Sequence, residues 1–322
     1  MTHEPQTGTM LGRDCEHAMS ESPAVAWHQP VMRAEVLRCL DPRPGLIMVD
    51  ATVGTGGHSL DLLPRLLPDG RLIAVDQDGE ALALAQQRLR EFEPNVTLLH
   101  GNFRELPTLL TPLGLTHVDG LLLDLGMSSV HVDQPARGFS FSREGPLDMR
   151  MDQTHPTTAA ALVNTLSETD LTMLFERFGE ERFARRIAAR IVTRRRAHPI
   201  ETTSELARLV TEAVPSVARH GRLHPATRVF QALRIAVNEE LDALEACLEH
   251  LAGLLNPTGR AVILTFHSLE DRMVKRAFID GARAGRWTVL TKKPLRPSMT
   301  ECQQNPRARS AKLRAIVRGA GD

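Results

Sequence analysis

Residues 49–59 read Val-Asp-Ala-Thr-Val-Gly-Thr-Gly-Gly-His-Ser, and their surroundings decide the fold. The apolar run 46–49 reads as a buried strand that ends in Asp50. A turn with Gly54, Gly56 and Gly57 follows, and then a helical pattern. A second apolar run, 72–75, ends in Asp76, twenty residues after Gly56. At that spacing a strand-end acid meets the ribose of a nucleotide lying over a glycine-rich first turn. The glycines let the backbone approach the ligand, and the carboxylate accepts hydrogen bonds from two ribose hydroxyls. The stretch therefore predicts a nucleoside-like cofactor.

Outward from it, strand and helix alternate. An amphipathic helix opens at His28-Gln-Pro-Val31 and runs to Leu40, ahead of the strand 46–50. The helix after the glycine turn reaches residue 67, and strand 71–75 follows. Asp78 is placed to cap a helix over 80–92, apolar at Leu82, Ala85 and Leu89. Strand 96–99 leads into Gly101-Asn-Phe103, and strand 118–123 ends in Asp124. Such alternation predicts a parallel sheet with helices on both faces. Residues 133–224 hold no convincing strand. They read as a linker, 133–156, and helices over 157–166, 168–178, 181–195 and 203–213. One long helix, 226–254, returns the chain to strand 260–266, and 287–292 and 312–317 read as a closing strand pair.

Five parallel strands and a terminal pair make the seven-stranded α/β layout of class I S-adenosylmethionine-dependent methyltransferases, a Rossmann-like sheet. A nicotinamide-binding domain would have six parallel strands. The expected organisation is a disordered extension over 1–24 and a discontinuous core over 25–132 and 225–322. An all-helical insert is expected over 133–224, as a separate substrate domain.

The chain has 322 residues, 42% hydrophobic and 24% charged, as in soluble globular proteins. No apolar run approaches the ~20 residues of a membrane helix. Residues 1–25 show no basic-then-apolar secretory pattern. Cys15, Cys39, Cys247 and Cys302 are far apart and form no C-x-x-C. This speaks against a zinc site or a disulfide framework and for a reducing cytoplasm, and no metal is expected. Net charge is zero, but its distribution is uneven. Arg182–Arg234 holds twelve arginines against three glutamates, and Arg286–Asp322 holds nine Lys/Arg against two acids. Two basic regions on an acidic body predict a polyanion partner. With aromatics at 4%, RNA shape and phosphate geometry should outweigh base stacking.

Ten motifs then stand in order: HQPV at 28–31, GTGGHS at 54–59, GNF at 101–103, DLGMSS at 124–129 and RGFSF at 137–141. GPLDMRMD at 145–152, FGEERFARRIA at 178–188, HPATRVFQALRIAVNEEL at 224–241, FHSLEDRMVK at 266–275 and NPRARSAKLR at 305–314 follow. Together they resemble the MraW family of ribosomal small-subunit RNA methyltransferases, from His28 to about Arg318. The resemblance implies methyl transfer from S-adenosyl-L-methionine to the exocyclic N4 of a cytidine in the decoding region, the P site, of 16S ribosomal RNA. It implies that Gly54, Gly56, Gly57 and His58 hold the methionine end of the cofactor. Asp76 would take the ribose, Phe103 would pack on the adenine, and Asp124 would be a cofactor contact. His131 stands where the family usually has a glutamine that contacts the cofactor.

Asp124 also ends the strand that faces the transferable methyl group. A cytosine amino group is a poor nucleophile, because its lone pair is delocalised into the ring. A carboxylate accepting its N–H can localise that pair. Asp124 is therefore a catalytic candidate, with Ser128 as a neighbouring donor or acceptor. The Asp-Pro-Pro-aromatic arrangement common in amino-methylating enzymes is absent, so any aromatic clamp must come from elsewhere. Ser268 with Asp271 fits a capping motif for the following helix, with His267 near the cleft. Two rivals remain. A small-molecule methyltransferase leaves both basic regions unexplained. A non-catalytic rRNA-binding assembly factor is opposed by the intact Gly56-Gly57-His58, Asp76 and Asp124 set.

Overall fold

The computed structural model describes residues 1–2, 29–219, 221 and 223–319. The expected extension over 1–24 falls, from residue 3 on, outside the described residues, as does His28. The first half runs α1 (Arg33–Leu40), β1 (Ile47–Asp50), α2 (Gly57–Leu66), β2 (Arg71–Asp76), α3 (Gly79–Leu89), β3 (Val96–His100), α4 (Leu106–Leu110) and β4 (Val118–Asp124). The helical stretch is α5 (Ser129–Asp133), α6 (Ala159–Thr165), α7 (Glu168–Gly179), α8 (Ala184–Arg195), α9 (Thr203–Ala213) and α10 (Ser216–Arg219). The chain closes with α11 (Thr227–Val237), α12 (Glu240–Leu254), β5 (Leu255–Thr265), α13 (Ser268–Arg283), β6 (Trp287–Val289), α14 (Met299–Gln304) and β7 (Lys312–Arg318).

The strands form one sheet in the order β3-β2-β1-β4-β5-β7-β6. β1 pairs in parallel with β2 and β4, and β5 in parallel with β4, while β7 runs antiparallel between β5 and β6. This is the class I S-adenosylmethionine-dependent methyltransferase sheet. The central strands read as continuous apolar runs because both faces are covered. On β4, Leu122 packs with Leu62, Leu66, Ala85 and Leu89 of α2 and α3. Its neighbours Leu121 and Leu123 pack with Leu244, Leu251, Val274 and Phe278 of α12 and α13. A third cluster joins α6–α9 to α11 through Leu171, Phe175, Ile187, Leu206, Phe230 and Leu233, and reaches Val237.

The expected single helix over 226–254 is two helices. The apolar pattern runs on through the break, but Glu239 is left-handed at φ 49°. The Asn238 side chain donates to Met149 O at 2.8 Å and to Arg234 O at 2.9 Å, and accepts from Met151 N–H at 2.7 Å. These bonds fix the junction where a continuous helix would run. The strand order reverses between β1 and β4, and ligands of open α/β sheets bind beyond the carboxyl ends at that point. Asp50, Asp76 and Asp124 end β1, β2 and β4 there.

Candidate active site

A cavity of about 580 Å³ opens over the carboxyl ends of the central strands. Gly54, Gly57, His58, Asp76, Phe103, Asp124, Ser128 and His131 all line it. Gly56 lies just behind, as the left-handed N-cap of α2 at φ 82°.

The glycine turn and the second acid are bonded directly. Gly54 N–H donates to Asp76 Oδ2 at 2.7 Å, and Asp78 N–H donates to Oδ1 at 2.9 Å. Each oxygen keeps a second lone pair for a ligand hydroxyl. Burial raises the Asp76 carboxyl pKa, against the pull of these two N–H donors. A Cβ on Gly57 would meet the ring of Pro30, another cavity-lining residue, at 3.3 Å. Asn102 caps the short turn carrying Phe103, accepting from Arg104 N–H at 3.0 Å.

Asp124 is fixed through its backbone, whose N–H donates to Thr52 Oγ1 at 2.6 Å. Its Oδ2 lies 3.5 Å from His58 Nε2. Asp124 Oδ1, His58 Nε2 and Ser128 Oγ are all buried without a hydrogen-bond partner. Burial pulls the His58 pKa down, but Asp124, Asp50 and Asp61 together hold it above its ordinary value. Behind it, fully buried Asp50 accepts from Ser59 Oγ at 2.7 Å, and burial pushes its carboxyl up to about 6. Native buried polar groups are normally paired, so orphans at a cleft mark where a ligand completes the bonding.

His131 is committed elsewhere. Its Nδ1 accepts Ser128 N–H at 3.1 Å, and its Nε2 lies 2.7 Å from Asp78 Oδ2. The ring stacks on Phe139 with centroids 4.7 Å apart.

Ser268 and Asp271 do not cap α13. Its N-cap is His267, one residue earlier, whose Nδ1 accepts Glu270 N–H at 3.4 Å. Glu270 Oε2 returns the bond to the N–H groups of Phe266 and His267. Ser268 Oγ instead donates to Glu180, and Asp271 pairs with Lys312 and Arg314. Glu270 at the third helical position was the available signal.

Sequence reasoning assigned no role to the bulky apolar side chains of the cavity. Met127, Phe141, Phe230 and Phe266 also line it, and Phe141 meets Phe230 edge-on at 4.9 Å. The signal was present in RGFSF and HPATRVF. Below them Arg234 clamps both Glu240 oxygens at 2.8 Å. Glu240, His267 and Glu270 have donor atoms close enough to surround a cation. Arg234 and the backbone N–H groups already satisfy these carboxylates. Among the described residues no helix is long and apolar enough to cross a membrane.

S-Adenosylmethionine, the cofactor of this fold class, fits the cavity's donors. Asp76 suits ribose hydroxyls, the turn leaves space for close approach, and the orphaned atoms gather where β4 ends. A family model described as the MraW methylase family matches residues 25–319. Ribosomal RNA small subunit methyltransferase H of Syntrophotalea carbinolica is 48% identical over 306 residues, covering 90% of this chain and 98% of that protein. Its counterpart in Symbiobacterium thermophilum is 46% identical over 306 residues, covering 90% and 96%. Among solved structures, a methyltransferase homologue from Pyrococcus horikoshii is a distant likeness, 14% identical over 89% of this chain and 66% of that one, with a TM-score of 0.42. On the family match and the extent of these identities, the chain belongs to the MraW methylase family.

Proposed function

We propose that this protein transfers a methyl group from S-adenosyl-L-methionine to the exocyclic N4 of a cytidine in the decoding region of 16S ribosomal RNA. The observation that carries the reading is that Asp124, whose Oδ1 has no partner, lines one cavity with the glycine turn, Asp76 and the aromatic pair Phe141 and Phe230. The names of the relatives support an rRNA substrate.

When bound, the cofactor supplies an electrophilic methyl group on a sulfonium. Gly54, Gly56, Gly57 and the backbone of His58 hold its methionine end, Asp76 its ribose and Phe103 its adenine. Asp124 Oδ1 accepts an amino N–H of the target base, localises the nitrogen lone pair and meets the positive charge that develops there. Ser128 Oγ gives that amino group a second contact. His131 acts through position, holding the Ser128 loop against α3. Phe141 and Phe230 stack a base that has left its helix, which any attack on an exocyclic nitrogen of structured RNA requires.

The helical segment 133–224 forms the RNA-substrate domain. The basic regions Arg182–Arg234 and Arg286–Arg318 contact phosphates. The test is modified-nucleoside analysis of 16S rRNA from a deletion strain, with and without this protein restored. N4-methylcytidine should disappear at one decoding-region position and return on complementation. An unchanged nucleoside profile would overturn the reading.

A further inference from the structure

We propose that His58 is the terminal acceptor of the proton released by methyl transfer, receiving it from Asp124. The inference rests on the reading above that Asp124 faces the target amino group.

Methyl transfer moves a positive charge into a buried place. The amino nitrogen bonds to the methyl carbon as the carbon–sulfur bond breaks, and that electron pair stays on sulfur. The nitrogen then carries one proton too many, and N4-methylcytidine forms only when this proton leaves. Asp124 Oδ1 is an unpartnered acceptor at the end of β4. A carboxyl that kept the proton would be neutral and would have to be reset before the next turnover.

His58 Nε2 sits 3.5 Å from the other carboxyl oxygen and also lacks a hydrogen-bond partner. A turn of the carboxyl about its Cβ–Cγ bond presents the proton to Nε2. The imidazolium so formed is stabilised by two strand-end carboxylates, Asp124 of β4 and Asp50 of β1. Asp61 adds a third acid from α2 itself, tied to Arg33 of α1. Arg88 of α3 reaches the same turn but donates to Thr55 O at 3.2 Å. The cluster is thus built to hold one positive charge. The buried acids raise the basicity of His58, which suits it to take a proton near neutral pH. Only neutral His58 can do so, and the chemical step should therefore quicken as pH rises through its pKa.

The test is single-turnover methylation of small ribosomal subunits from the deletion strain, at saturating S-adenosylmethionine, across pH. Nucleoside analysis reads N4-methylcytidine. The wild-type rate should climb with unit slope and level off above pH ~6.5, the ordinary value for histidine. His58→Gln should lose that limb and fall by ~10²-fold, the low end for proton-transfer assistance. Cofactor affinity, read by calorimetry, should change far less. Asp50→Asn should move the limb to lower pH by removing one neighbouring acid. Imidazole NMR of the cofactor-free protein should show His58 titrating above its ordinary value, and lower in Asp124→Asn. A His58→Gln enzyme that keeps both the rate and the limb overturns the proposal. If that variant does not fold, an unmoved limb in Asp50→Asn overturns it. Wild-type protein that makes no N4-methylcytidine would overturn instead the assignment of the reaction.

Discussion

His131 Nε2 meets Asp78 Oδ2 at 2.7 Å with both side chains almost wholly buried. Asp78 is also the N-cap of α3, accepting Glu80 N–H at 2.9 Å, and it pairs with buried Arg137 at 3.0 Å. One carboxylate thus ties the loop after β4 to the start of α3. Burial opposes its ionisation, but His131 and Arg137 hold its pKa below the usual range. The resulting stability is present above the ordinary carboxylate pKa and is lost as pH falls through the lowered one. Asp78→Ala leaves the Arg137 guanidinium with half-exposed Glu80 as its remaining carboxylate, beside the carbonyls of Arg150 and Met151. It should cost about 3 kcal/mol in denaturant unfolding, the scale for breaking one side of a buried pair. A loss under about 1 kcal/mol would mean that the loop is held by packing alone.

Asp76→Ala should weaken S-adenosylmethionine binding by about 1–3 kcal/mol in calorimetry, as hydrogen bonds to a charged acceptor are lost. Gly54 N–H loses its acceptor in the same variant, so the turn loosens as well. Asp76→Asn keeps one acceptor oxygen and should lose less. Wild-type affinity in the alanine variant would move the ribose elsewhere.

The basic helix separates into two kinds of arginine. Arg194 pairs with Glu205 at 2.6 Å, and Arg195 donates to Val163 O at 2.6 Å, so both stitch the helical segment together. Arg182, Arg185 and Arg186 are exposed. Replacing these three by alanine should lower the slope of log affinity for rRNA against log salt by ~0.7 per lost phosphate contact. Unfolding should stay unchanged. Arg195→Ala should do the reverse, costing about 1 kcal/mol of stability with little change in slope. An unchanged slope in the triple variant would assign the RNA face to other cations.

What the sequence disclosed follows the range of the forces involved. The glycine turn and Asp76 were legible because the turn follows β1 and the acid ends the adjacent β2, where Gly54 N–H donates to it. The Asp78 cap was legible because it acts two residues away. The break at Asn238 was not, because its partners Met149 and Met151 lie almost ninety residues off and leave the apolar period intact. The roles of Arg194 and Arg195 depend likewise on Glu205 and Val163, which only tertiary packing brings near. At α13 a serine in cap position concealed the histidine before it, which takes that role with Glu270.

Asp50 predicts a pH dependence of stability. Burial lifts its carboxyl from 3.8 to about 6, so the native state keeps a proton that the unfolded chain has lost. Stability should therefore fall as pH rises between those two values and then level off. The penalty reaches about 3 kcal/mol. Asp50→Asn removes it while retaining an acceptor for Ser59. Denaturant unfolding at about pH 7 should show a gain of ~1–3 kcal/mol, with a flatter profile between pH ~4 and ~6. Equal stability with an unchanged profile would show that Asp50 is ionised at no cost.

Asp124 stands between two roles that kinetics can separate. As a cofactor contact alone, its loss raises the dissociation constant, and saturating cofactor restores turnover. As the group that accepts the amino N–H, it acts most strongly in the transition state, and no amount of cofactor replaces it. The geometry favours a share of both. Oδ2 is turned toward His58, while Oδ1 is buried without a partner in a residue that lines the cavity. Asp124→Asn preserves shape and the Thr52 bond, which uses the backbone, but removes the negative charge. Its cofactor affinity should fall modestly. Its single-turnover rate at saturating cofactor and rRNA should stay depressed by ~10²-fold or more. Full recovery of the rate would leave Asp124 as a binding residue and return the amino group to Ser128 or the backbone.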